Sequence, residues 1–288
     1  MPATPTRSLQ VIQGVEAMRS AVREIQRGGE TVGFVPTMGA LHEGHLSLVD
    51  AAAAECDRVV ASIFVNPTQF GPNEDFTKYP RPLERDLELL RGRGCELAFV
   101  PEAAEMYPWG YGTSIDVGPV AVPWEGAARP GHFAGVATVV LKLFECVPAD
   151  RAYFGRKDYQ QTLVVRRMVV DLNLPITVCV CPIVRDPDGL ALSSRNVYLG
   201  ADERQRALSL SQSLRLAEEL VSSGQRSALV VRERMLAHLN AAGGVNVEYV
   251  AILRDGSVDE VAEIGGPVTV AVAARVGTTR LIDNLRIG

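Results

Sequence analysis

The stretch "TVGFVPTMGALHEGHLSLVDAAAAEC" covers residues 31–56 and holds two of the chain's four histidines, His42 and His45. Its first six residues are a short apolar run that Pro36 and Gly39 bring to an end, which is the pattern of a buried strand. From Gly44 onward, Leu46, Leu48, Val49, Ala52, Ala53 and Cys56 recur at helical spacing. "RVVASIFV" (58–65) is again a continuous apolar run. Strand, helix and strand on short connections make a βαβ unit, whose parallel strands need helices over both faces.

The alternation continues in both type and length. Helical patterns fall at about 82–93, 133–147 and 158–172, and strand patterns at 96–100, 151–154 and 176–184. The spacing therefore predicts an α/β fold, a doubly wound parallel sheet of Rossmann-like type, over residues 1–184. After "RDPDGLALSSRN" (185–196) the texture changes to two charged helical patterns, 202–222 and 226–242. Three short strand patterns follow, near 246–252, 267–274 and 280–286. Residues 185–288 read as a smaller C-terminal α+β lid domain, with the boundary in the Asp-Pro-Asp-Gly turn.

Composition narrows the function classes. The 288 residues are 47% hydrophobic and 22% charged, with a formal net charge of −5, which speaks against a surface that coats nucleic acid. No apolar run approaches the roughly 18 residues of a membrane helix, and Met-Pro-Ala-Thr-Pro has no apolar leader core, so a cytoplasmic protein is expected. The five cysteines contain no C-x-x-C pair and read as small buried thiols in a reducing compartment.

Three readings compete for His42-Glu43-Gly44-His45. A zinc helix needs H-E-x-x-H, with histidines four apart on one face; here they are three apart across a glycine, with no further ligand type nearby. Helix capping accounts for one histidine but not for both, nor for the glycines. A phosphate site accounts for more. A βα turn at the carboxyl edge of a parallel sheet offers backbone N–H groups and a helix dipole, and glycines allow close approach. Two imidazoles there can donate to phosphate oxygens as charge develops. The usual phosphate-loop signatures, G-x-x-x-x-G-K-[ST] and G-x-G-x-x-G, are absent from the sequence.

H-x-G-H after the first strand of a doubly wound domain resembles the nucleotidyltransferase superfamily. "ALSSRN" (191–196) looks like a variant of that superfamily's second, Lys-Met-Ser-Lys-Ser-like loop. More closely, the chain is similar to the pantoate–β-alanine ligase family. The matching stretches are "PTMGALHEGH" (36–45), "SIFVNPTQF" (62–70), "RPGHFAGVATVVLKLF" (129–144), "FGRKDYQQ" (154–161), "DGLALSSRN" (188–196) and "VGTTRLIDN" (276–284). The resemblance implies that ATP and (R)-pantoate form pantoyl adenylate and pyrophosphate. β-Alanine then attacks, giving pantothenate and AMP.

The same resemblance implies residue roles. Met38, Gly39, Ala40, Leu41, His42, Glu43, Gly44 and His45 would form the ATP loop, with both histidines at the phosphates. Gly155, Arg156, Lys157 and Asp158 would meet ribose and phosphate, and Val184 would offer backbone to adenine. Leu192, Ser193, Ser194 and Arg195 would close over the phosphates. Gln69 and Gln161 would hold pantoate, Gln69 also β-alanine. Mg²⁺ is expected on the ATP phosphates, and Asp86 would orient the site or a metal-bound water. Arg156 stands where the family usually has glutamate; it reads as outward-facing or, alternatively, as an added charge near the nucleotide. His132 beside Arg129 reads as structural. A homodimer is expected.

Overall fold

The structure is a computed structural model that describes residues 8–72 and 74–288. The Met1–Pro5 start, on which the expectation of no leader rests, lies outside the described residues. The chain divides into two compact units, Met1–Ala121 with Arg129–Gly155 and Val164–Cys181, and Val122–Ala128 with Arg156–Leu163 and Pro182–Gly288.

The first unit is built on strands β1 (Gln10–Ile12), β2 (Val32–Thr37), β3 (Arg58–Ile63), β4 (Leu97–Phe99), β5 (Arg151–Gly155) and β6 (Thr177–Cys181). All pair in parallel, in the order β1-β4-β3-β2-β5-β6. The strand order reverses between β2 and β5, so the carboxyl end of β2 opens at the crevice where α/β sheets take ligands. This is the doubly wound α/β sheet that the alternating runs imply.

Alternating side chains feed two cores. Phe34, Val60, Phe99 and Phe154 pack on one face with α1 (Val15–Arg27), the short α4 (Ala103–Met106) and α6 (His132–Cys146), through Met18, Val22, Met106, Val140 and Phe144. Val35, Ala61, Ala98 and Tyr153 pack on the other with α2 (Glu43–Glu55) and α3 (Leu83–Gly92), through Val49, Ala52 and Leu90. Both faces are thus covered, which is why these strands read as unbroken apolar runs.

Three features differ from the sequence reading. The alternation is legible only from residue 31, which leaves β1 and α1 unassigned; β1 has three residues and adds to the edge beside β4. The strand expected at 176–184 ends at Cys181, because Pro182 has no N–H to continue a ladder. Only Cys95 and Cys146 are buried; Cys179 and Cys181 are half-exposed because β6 is an edge strand, and Cys56 is half-exposed at the end of α2.

The second unit carries an antiparallel sheet of β7 (Val245–Arg254), β8 (Val268–Val276) and β9 (Thr279–Ile287), in that order. Helices α8 (Ala201–Ser222) and α9 (Ala228–Ala241) bury Leu210, Leu214, Met235 and Leu239 against Ile252, Val270, Val272, Leu281 and Ile287. The Val122–Ala128 segment, with its short helix α5 (Glu125–Ala128), belongs here through paired side chains. Arg280 donates to both oxygens of Glu125 at 2.7 and 2.6 Å, Tyr249 donates to the same carboxylate at 2.8 Å, and the Trp124 indole donates to Val258 O at 3.0 Å. Arg156–Leu163, which includes the start of α7 (Tyr159–Asp171), belongs to this unit too.

Candidate active site

In the first unit the chain leaves β2 through a turn that needs unusual backbone. Gly39 has φ +81° and Ala40 φ +51°. Left-handed backbone at a residue with a Cβ costs on the order of 1 kcal/mol and persists only where its surroundings impose it. Here Asp86 of α3 imposes it: Oδ2 accepts the N–H of Ala40 at 2.7 Å and Oδ1 that of Leu41 at 2.8 Å. The Asp86 side chain is fully buried, and a Cβ at position 39 would meet its Oδ2 at 3.0 Å. Burial pushes the Asp86 pKa up, and the two N–H groups oppose that rise. Of the two roles expected for Asp86, its contacts are those of a residue that orients the loop: both oxygens are committed to the backbone.

The turn delivers the histidines to the start of α2. His42 is the N-cap, and its Nδ1 accepts the N–H of Gly44 at 3.1 Å, which places the ring proton on Nε2. His45 lies in the first turn, its ring centroid 4.1 Å from that of His42. Capping therefore explains His42 as structure without excluding a ligand at its other nitrogen, and both rings sit at the positive end of the helix dipole.

Gln69 lies at the end of a one-turn helix, Pro67–Gln69, capped by Asn66. Its Oε1 accepts from Asn66 Nδ2 at 3.0 Å and its Nε2 points at Met38 Sδ at 3.1 Å, so the side chain adjoins the ATP-loop candidate. Asn66 Oδ1 is in turn held by Tyr107 OH at 2.7 Å. Helix α6 presses on this turn at Gly135, where a Cβ would come within 2.3 Å of Thr68 O. His132 Nδ1 donates to Gln69 O at 2.8 Å, and Arg129 donates to His132 Nε2 at 2.8 Å. Arg129 also makes a paired contact with Glu74, both at 2.6 Å. Burial would raise the Glu74 pKa, but the hydrogen bonds and charge of Arg129 bring it down to about 2. His132 thus braces the backbone of Gln69, the structural role its position suggested. Asn66, Tyr107 and Gly135 are not singled out by the sequence reading; the Asn-Pro-Thr-Gln run and the glycine in "HFAGVA" are the available signals.

The second unit gathers the other candidates by itself. Lys157 and Asp158 sit 3.7 Å apart in a turn, Arg156–Asp158, whose carbonyls at Arg156 and Lys157 accept Asn284 Nδ2 at 2.9 and 3.0 Å. Arg156 is not outward-facing, contrary to the first of its two readings. Its guanidinium donates to Asp255 and Thr269, each at 2.8 Å, and lies over the Tyr159 ring. Its charge is matched by Asp255, whose carboxyl, despite desolvation by burial, is held far below its usual pKa by Thr269, Arg156 and Arg286. Gln160 is buried, accepting from Glu125 N and donating to Pro123 O, whereas Gln161 is half-buried.

The 185–196 segment is pinned at its base. Arg185 donates to both oxygens of Asp283 at 2.6 and 2.9 Å, and Arg204 pairs with Asp186 and Asp188. Val184 O accepts Leu192 N–H at 3.0 Å, so that carbonyl already serves the loop. Ser193 caps the short helix Ser194–Tyr198, with Oγ accepting Arg195 N–H at 3.3 Å. The candidates therefore fall into two sets, Met38–His45, Gln69 and Asp86 in one unit and Arg156–Asp158, Gln161, Val184 and Leu192–Arg195 in the other. Gly155 closes β5 of the first unit.

Comparison with known proteins follows the same outline. Residues 10–286 match the family model described as pantoate-beta-alanine ligase. The chain is 53% identical over 276 residues to the pantothenate synthetase of Roseiflexus sp. (strain RS-1), covering 96% of this chain and 98% of that protein. It resembles the crystal structure of pantothenate synthetase from Thermus thermophilus with a TM-score of 0.92 at 47% identity, over 96% and 99% of the two chains. It resembles the pantoate-beta-alanine ligase of Francisella tularensis, complexed with beta-gamma ATP and beta-alanine, with a TM-score of 0.81 at 34% identity, over 96% and 97%.

Proposed function

The chain belongs to the pantoate-beta-alanine ligase family, and we propose that it joins (R)-pantoate to β-alanine at the expense of ATP, releasing AMP and pyrophosphate and supplying pantothenate for coenzyme A synthesis. The observation that carries this reading is the strained Gly39–Ala40 turn, locked on Asp86, which sets His42 and His45 at the start of α2 where the sheet order reverses. Imidazole N–H donors fixed at a helix start suit a polyphosphate.

A carboxylate is a poor acyl donor, so the first step is in-line attack of the pantoate carboxylate on the α-phosphorus of ATP. That forms the mixed anhydride and expels pyrophosphate. His42, His45, Lys157, Ser193, Ser194 and Arg195 are assigned to the phosphate oxygens, where donors matter most as leaving-group charge develops. Gln69 and Gln161 are assigned to pantoate, since an amide can both donate to its carboxylate and serve its hydroxyls; Gln69 is also assigned to β-alanine. The β-alanine amine then attacks the acyl carbon, and AMP leaves. Met38–Gly44, Gly155, Arg156, Asp158, Val184 and Leu192 complete the nucleotide assignment, Arg156 through its backbone and its anchor on Asp255. Magnesium is assigned to the ATP phosphates, since this hard cation keeps oxygen ligands and commonly binds through substrate phosphates. A cytoplasmic homodimer is the proposed form. No helix among the described residues is long and apolar enough to cross a membrane.

The test is direct. Incubation with ATP, Mg²⁺, pantoate and β-alanine should give pantothenate and AMP. Without β-alanine, labelled pyrophosphate should exchange into ATP only when pantoate is present. Release of ADP and phosphate, or no exchange until the amine is added, would sink the adenylate route.

A further inference from the structure

The "LIDN" end of the C-terminal motif has a geometry that points to a task. Asp283 and Asn284 are consecutive on β9, so the pleat sends their side chains to opposite faces. Asp283, 4% exposed, holds Arg185 on the helix-covered side. Asn284, 2% exposed, turns to the other side and gives its single amide nitrogen to the carbonyls of Arg156 and Lys157.

Two successive carbonyls converging on one donor fix the planes of two peptide units. They thereby fix the direction in which Lys157 leaves the backbone. That matters for lysine in particular, because its ammonium rides on a flexible four-carbon stem and the stem's root decides which volume it samples. Asn284 Oδ1 is buried and has no hydrogen-bond partner among the described residues. Leaving such an acceptor unmet is unfavourable, so packing is a poor reason for an amide here; the two donated bonds are the better one. The Arg156 side chain, tied to Asp255 and Thr269, holds the same turn from its other end.

We infer that Asn284 is a positioning residue for Lys157, aiming that ammonium at the nucleotide phosphates through the backbone of the Arg156–Asp158 turn. The inference rests on the proposed role of Lys157 in ATP binding.

A four-way comparison on the full-length protein tests it. ATP affinity in the presence of Mg²⁺ is measured by calorimetry for wild type, Asn284→Asp, Lys157→Ala and the double variant. Asn284→Asp keeps the volume but sets a carboxylate against two carbonyls. It should weaken ATP on the order of ten-fold, the worth of one charge-assisted contact. The double variant should bind ATP as Lys157→Ala does, within about two-fold, because Asn284 has nothing left to aim. Losses that multiply in full, or wild-type affinity in Asn284→Asp, would overturn the inference. Should Asn284→Asp fail to fold, Asn284→Ala removes the donor without adding charge and carries the same comparison. A wild type that binds ATP yet makes no pantothenate would defeat the proposed activity while the ATP comparison still decides the role of Asn284.

Discussion

Asp86 accepts the backbone N–H of Ala40 at 2.7 Å from 46 residues away in the chain, and so sets the turn that carries both histidines. Removing that carboxylate strands two amides in a buried, left-handed turn. Asp86→Ala should cost on the order of 3 kcal/mol of stability and lower kcat as the loop relaxes. Chemical denaturation and a steady-state assay read the two effects; a variant with wild-type stability and rate would refute the account of the turn.

His42 and His45 should separate by what each loses. His42→Ala removes a cap as well as the proposed phosphate donor and should cost about 1 kcal/mol of stability besides activity. His45→Ala should leave the melting temperature near that of wild type while kcat falls by about 10²-fold, as for a lost oxyanion donor. Equal stability losses in both would contradict the capping geometry.

Gly135 is a remote handle on the proposed pantoate site. Alanine there would drive a methyl to within 2.3 Å of Thr68 O and displace the turn that ends in Gln69. Gly135→Ala should raise KM for pantoate and destabilise by about 1–3 kcal/mol, with ATP affinity changed far less. Gln69→Ala should share the loss of pantoate binding. Equal losses for ATP and pantoate in either variant would count against Gln69 as an acid ligand.

The Glu74–Arg129 pair gives a dependence on pH with a defined sign. The Glu74 pKa falls from an ordinary 4.5 to about 2 on folding. A depressed carboxylate stabilises above its unfolded pKa, and that contribution disappears as pH falls through the folded value. The stability gap between wild type and Glu74→Gln should therefore be flat above about pH 5 and shrink progressively in acid. Urea midpoints taken stepwise would show it; a gap that widened in acid would reverse the sign.

Arg156→Glu installs the residue more usual in the family and would be harmless on an outward-facing side chain. In this chain it would face Asp255, a half-buried carboxylate with Thr269 and Arg286 also on it. A loss of about 1–3 kcal/mol is expected, partly recovered by adding Asp255→Lys. No loss in thermal unfolding would return Arg156 to solvent.

The continuous apolar runs of β2, β3 and β5 make the parallel sheet legible, since strands covered on both faces carry no alternation to hide it. The ATP-loop candidate is legible because glycines and histidines cluster within a few residues. What holds these parts is harder to read. Asp86 is only weakly marked in the sequence, and Asn66 and Gly135 only through the runs they sit in, because key partners lie far away in the chain. These are the amides of Ala40 and Leu41 for Asp86, the Tyr107 hydroxyl for Asn66 and Thr68 O for Gly135. Arg156 misleads for a similar reason: its counter-charge, Asp255, is 99 residues on. The pairing of "LIDN" with the Lys157 turn is likewise a tertiary contact with no local signature.

The discontinuity of the second unit limits how it can be excised. A fragment beginning at Pro182 would keep the helices and the three-stranded sheet but lose Glu125 and the Arg156–Leu163 stretch. Arg280 and Tyr249 would forfeit their shared carboxylate, and Asp255 its guanidinium partner Arg156. Cloned alone, such a fragment would present charged and aromatic groups evolved for interior company. It would be a poor starting material for crystallography or for chimeras, whereas exchange of the whole chain between relatives would carry every partner along.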